Sequence, residues 1–86
     1  MKVWIVTHLF MMYEGSLGRT VEIFSTKNSA ENFYNDLERQ LRNYYDEQYK
    51  ENYDEENCTY EKDQSVKFVV KSYIWDELYI EEKEVK

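Results

Sequence analysis

From Ala30 to Gln48 the bulkier side chains return every three or four positions: Ala30, Phe33, Tyr34, Leu37, Leu41, Tyr44, Tyr45 and Gln48. Asn32, Asp36, Arg39, Asn43, Asp46 and Glu47 fill the other side. This spacing predicts one amphipathic helix over about residues 27–50, and such a helix needs a surface to cover its apolar stripe. Thr26 or Asn28 can cap its start, and Asn28 has Glu31 at capping-box spacing. At 86 residues the chain has room for one domain with a small core.

The flanking segments supply that surface. Lys2 to Tyr13 alternates as a strand, with Val3, Ile5, Leu9 and Met11 on one face and Trp4, Val6, His8, Phe10 and Met12 on the other. Gly15 and Gly18 stand where a hairpin needs positive φ, and Arg19 to Thr26 is the return strand. Residues 52–63 lack periodicity and read as a loop, or as a helical extension, since neither Gly nor Pro stops the helix. Gln64 to Trp75 reads as a third strand, in which Val66, Phe68, Val70 and Ile74 alternate with Lys67, Val69, Lys71, Tyr73 and Trp75. Leu78 to Ile80 forms a short fourth strand or prolongs the third.

The expected fold is therefore α+β: a small, mainly antiparallel β-β-α-β sheet packed on one long helix. It occupies residues 1–80, and residues 81–86 form a charged, mobile tail. If the third strand lies beside the first, Trp4, His8, Phe10, Tyr73 and Trp75 mark a sheet face that is either uncovered or under the helix; alternation does not choose. An uncovered patch of that kind points to a dimer or a binding surface.

Little in the sequence supports catalysis. There is one Cys, one His and no Pro, which excludes a disulfide scaffold and a zinc ribbon. No apolar run reaches the roughly 18–20 residues of a membrane span, and no signal-peptide cleavage region opens the chain, so a soluble cytoplasmic protein is expected. Gly15-x-x-Gly18 is the nearest approach to a phosphate loop, and a tight turn explains it better. His8 and Cys58 are far apart, and acidic neighbours would raise and blunt the Cys58 thiol. Asp54-Glu55-Glu56 and Glu81-Glu82 lack EF-hand spacing, while Asp76 and Glu77, adjacent on a strand, point to opposite sides. The reading is a non-enzymatic protein with no cofactor and no metal.

Charge is the remaining clue. The net charge is −7, and residues 31–63 alone carry −7, against +1 before them and −1 after. Here Asp46, Glu47, Glu51, Asp54, Glu55 and Glu56 are interleaved with Tyr49 and Tyr53. Such a surface repels nucleic acid and anionic membranes and attracts basic proteins, with tyrosines adding contact area. Solubility alone is an equal explanation. A second candidate is a pocket of Arg19, Lys71, Tyr73 and Trp75 that would stack and neutralise a nucleotide second messenger. Lysines that blunt an edge strand explain Lys67 and Lys71 as well. A homodimer serving as a structural accessory is the third.

Three segments carry a resemblance. Met1-Lys2-Val3-Trp4-Ile5-Val6-Thr7-His8, Ile23-Phe24-Ser25-Thr26-Lys27-Asn28-Ser29-Ala30-Glu31 and Val70-Lys71-Ser72-Tyr73-Ile74-Trp75-Asp76-Glu77-Leu78 resemble a group of small phage and bacterial ββαβ proteins without an established activity. The acid-rich middle is longer here than in that group. The resemblance implies a mobile-element accessory protein. In size, acidity and tyrosine content the chain is similar to phage-encoded anti-defence inhibitors, including anti-CRISPR proteins and DNA mimics. The expected function is thus inhibition of a host nucleic-acid-processing or defence protein.

Overall fold

The computed structural model describes residues 1–11, 16–50, 52–60 and 63–85. Its elements are β1 (Lys2–Met11), β2 (Leu17–Phe24), α1 (Lys27–Tyr49), β3 (Asp54–Thr59), β4 (Gln64–Lys71) and β5 (Ile74–Glu84). The fold is α+β: a five-stranded sheet in the order β2-β1-β5-β4-β3, antiparallel at every pairing, with α1 packed on one face. The helix leaves β2 at one edge and delivers the chain to β3 at the other. A meander through β4 and β5 then returns to β1.

The helix begins and ends for local reasons. Thr26 has extended backbone, and its Oγ1 accepts the Ser29 amide at 3.3 Å, so Thr26 is the cap. Asn28 falls inside the first turn, and Glu31 pairs instead with Lys27 at 3.7 Å. At the far end Lys50 adopts φ 54° and ψ −119°, a backbone conformation that favours glycine, and the helix stops there. Ala30, Tyr34 and Tyr45 are buried from the helix side, against Val6, Val66, Phe68, Leu78 and Ile80 from the sheet. No described helix is long and apolar enough to cross a membrane.

Several expectations are corrected. Residues 54–59 are not loop but the edge strand β3, paired with β4. Its Asp-Glu-Glu-Asn-Cys-Thr sequence is poor in strand formers; an edge strand with exposed faces tolerates it because backbone pairing, rather than side-chain burial, holds it. The expected third strand, 64–75, is two strands joined through Ser72 and Tyr73. That turn carries no Gly or Asn, and neither residue has positive φ; a register shift between Val69 and Lys71 accommodates it. β5, not β4, lies beside β1, and β4 is an interior strand. The segment expected as a mobile tail is strand through Glu84: Glu81 and Glu82 pair with Ile5 and Trp4, and the Met1 amino group reaches Glu84 at 3.2 Å.

Gly18 is also corrected. It lies within β2 opposite Phe10, without a left-handed φ, and a Cβ there would overlap the Phe10 ring. It makes room rather than a turn. The hairpin role expected of Gly15 lies outside the described residues.

Trp4, His8 and Phe10 share the Val6 side of β1 and so lie on the helix-facing side. The helix-free face carries Ile5, Leu9, Val21, Ile23, Tyr79 and Trp75 instead. Ile23 is 64% exposed, while Thr7, between Val21 and Tyr79, is buried.

Candidate functional site

The most organised polar cluster joins three elements. Asp76, near the start of β5, accepts a hydrogen bond from the Tyr45 hydroxyl of α1 at 2.6 Å on Oδ2. Its Oδ1 lies 2.7 Å from Nε2 of His8 on β1. Tyr45 is almost wholly buried; that burial, reinforced by the bond to Asp76, pushes its hydroxyl far above the ordinary tyrosine range. Its ring stacks on Phe68 at 5.3 Å and 20°. Tyr44 meets Tyr45 edge-on at 5.7 Å and Tyr49 at 6.3 Å. The Tyr49 hydroxyl is likewise raised, first by burial and then by Tyr44.

This cluster opens into a cleft of about 210 Å³ at the C-terminal end of α1. Tyr44, Tyr45 and Tyr49 line it from the helix, Tyr73, Trp75 and Asp76 from the β4–β5 hairpin, and Met11 from β1. An Asp-oriented imidazole is part of many hydrolytic sites, yet the described lining residues include no Ser or Cys. Cys58 projects from the opposite sheet face to His8. The arrangement can bind and orient. Sequence reasoning missed it, although a signal existed: Asp76, Leu78 and Ile80 share one strand face, and a carboxylate beside buried Leu78 needs donors.

The acidic residues expected to form one contact surface are divided. Asp46 accepts from the Tyr53 hydroxyl, the main reason that this hydroxyl is pushed up to about 12. Glu55 is bound to Arg42, which also donates to Glu38 at 2.9 Å. The Arg42 guanidinium holds the Glu55 carboxyl below its usual range. Asp54 and Glu56 project from the other side of β3, toward the helix-free face, where Glu56 pairs in register with Lys67. Glu47 is exposed on α1, Tyr49 is committed to the tyrosine cluster, and Glu51 lies outside the described residues.

Of the alternative pocket, Tyr73 lines the cleft, with Lys71 Nζ 5.7 Å from its ring centroid, while the Trp75 ring stands on the helix-free face. Arg19 stands on β2, separated from β5 by β1. Lys67 lies 5.0 Å over Trp75. These lysines occupy aromatic faces on an interior strand and so guard no edge. The carboxylate facing the cleft, Asp76, opposes a phosphate.

A second depression, about 420 Å³, lies on the helix-free face and combines Asp63, Glu77 and Glu81 with Tyr60, Tyr79 and Leu9. None of its described lining residues is basic. Among the described residues, no group of three or more His, Cys, Asp or Glu side chains could hold a metal ion.

The raised tyrosines give a pH dependence. Tyr53 ionises at about 12 when folded and at 10.0 when free, so the folded state holds more protons between those values. Its contribution is complete below pH 10 and is lost as pH rises through 12. Tyr53→Phe should therefore flatten the decline of the urea midpoint over that alkaline window. An unchanged slope would show that the bond to Asp46 contributes nothing in solution.

No family model matches the chain, and neither a curated protein nor a solved structure matches it.

Proposed function

We propose that the protein is a non-enzymatic binding module that docks a positively charged protein surface, of the kind that nucleic-acid-processing or defence proteins present, and blocks it. The observation that carries this reading is the depression on the helix-free face, where Asp63, Glu77 and Glu81 stand with Tyr60 and Tyr79 and none of the described lining residues is basic. Beside it the face is largely apolar, with Leu9, Val21 and Ile23, and Arg19 stands opposite Leu9. An apolar field bordered by carboxylates and tyrosines suits a protein partner, and the net charge of −7 steers basic partners toward it. The contact set thus moves from the helix end and β3 to the β4–β5 half of the open face. Inhibition would be steric and electrostatic, with fast, salt-sensitive association.

The test is capture of basic proteins from a bacterial lysate at low salt, comparing the parent with Asp63→Asn/Glu77→Gln/Glu81→Gln and with Asp46→Asn/Glu47→Gln. A partner retained by the parent and the second variant, lost by the first, and displaced by free DNA is the expected result. Equal retention by all three, or no retained protein, would overturn the reading.

A further inference from the structure

We propose that the cleft at the C-terminal end of α1 is a binding site for a methylated ammonium group. The inference is independent of the acidic depression. It rests on how the cleft combines aromatic rings with negative charge.

The rings come from two elements. Tyr44 and Tyr49 project from the last turns of α1, while Tyr73 comes from the turn between β4 and β5. Tyr44 is 50% exposed and Tyr73 46%, so large π faces stand open at the mouth. The edge-on packing of Tyr44 against Tyr45 and Tyr49 braces the helical wall. Aromatic faces set around a small space attract cations through their quadrupoles.

The charge agrees. Asp76 lines the cleft, its carboxylate oriented by Tyr45 and His8. The helix ends here with no basic residue in its last turn, so its carbonyl end adds partial negative charge. The chain's own Lys71 already uses one of these rings as a platform, its Nζ lying 5.7 Å from the Tyr73 centroid. Size narrows the class. About 210 Å³ falls below the roughly 300 Å³ at which pockets for drug-sized ligands begin, so the cleft takes a head group rather than a nucleotide. Methyl groups on the cation bring apolar contact with the rings and lower its hydration, which favours a methylated over a bare ammonium.

The experiment is an NMR titration of the full chain with tetramethylammonium chloride, against sodium chloride at equal ionic strength, following the backbone amides of Tyr73 and Asp76 and the Trp4 indole N–H. Tyr73 and Asp76 should shift saturably, with a dissociation constant on the order of 1 mM, while Trp4, which borders a different cavity, stays in place. Tyr44→Ala and Tyr73→Ala should each weaken binding about fivefold or more. Both side chains are substantially exposed, so these variants should keep the fold. Lys71→Gln, which removes the resident cation, should tighten binding. A peptide bearing trimethyllysine separates the sources: tighter binding than tetramethylammonium assigns the head group to a side chain, and equal or weaker binding assigns it to a free cation. A linear response, the same shift with sodium, or unchanged affinity in Tyr73→Ala would overturn the proposal.

Discussion

Phe68→Ala should cost about 3–5 kcal/mol, most of what a small domain has available. Phe68 is fully buried on β4, and its surroundings explain the size of the effect. Tyr45 stacks on it, Tyr53 lies 6.0 Å away, and the Arg42 guanidinium sits 5.8 Å from its ring. One side chain therefore joins the second half of α1, the approach to β3 and the central sheet. Tyrosines stiffened by their own hydrogen bonds collapse poorly into the vacated space, which places the loss toward the upper end. Urea unfolding measures it, and Phe68→Leu should lose far less. A loss below about 1 kcal/mol for Phe68→Ala would mean that the helix does not depend on this contact.

Asp76→Ala should also be strongly damaging, because it removes one acceptor and orphans two groups. The Tyr45 hydroxyl, inside the core, loses its partner, and so does His8 Nε2. An unsatisfied buried polar group costs about 1–3 kcal/mol, and Tyr45 is the larger share here because His8 keeps some access to water. Tyr45→Phe alone removes the hydroxyl with its bond and should cost only about 1 kcal/mol. The double variant Asp76→Ala/Tyr45→Phe should then be less damaged than the sum of the two, since no tyrosine hydroxyl is left stranded. Additive losses in that cycle would show that the two groups do not interact.

Where sequence reasoning held, the information was local and periodic. The stripe from Ala30 to Tyr45 describes α1, and alternation in Lys2–Met11 and Gln64–Lys71 describes strands, because apolar spacing reports directly on which side is buried. Where it failed, pairing overrode composition. Asp54–Thr59 is a strand because β4 offers it a backbone ladder, and no side chain announces that. Glu81–Glu84 resembles a solvated tail, yet the first residues of β1 hold it. The Ser72–Tyr73 turn carries no Gly or Asn signature, so two strands read as one.

The same division applies to the sites. A small α+β fold, acidic, rich in tyrosine, with a single His and a single Cys, is legible in the unfolded chain. Those properties follow from counts and spacing, which survive in the unfolded chain. Tertiary folding settles which charges are paired: Arg42 is bound to Glu55, Tyr53 to Asp46, and the open face carries Glu77 and Glu81. It also brought His8 to Asp76 across 68 positions of chain and set Tyr73 against the end of α1. Those meetings depend on β5 pairing with β1, and strand order is a choice among long-range contacts that periodicity along the chain does not encode.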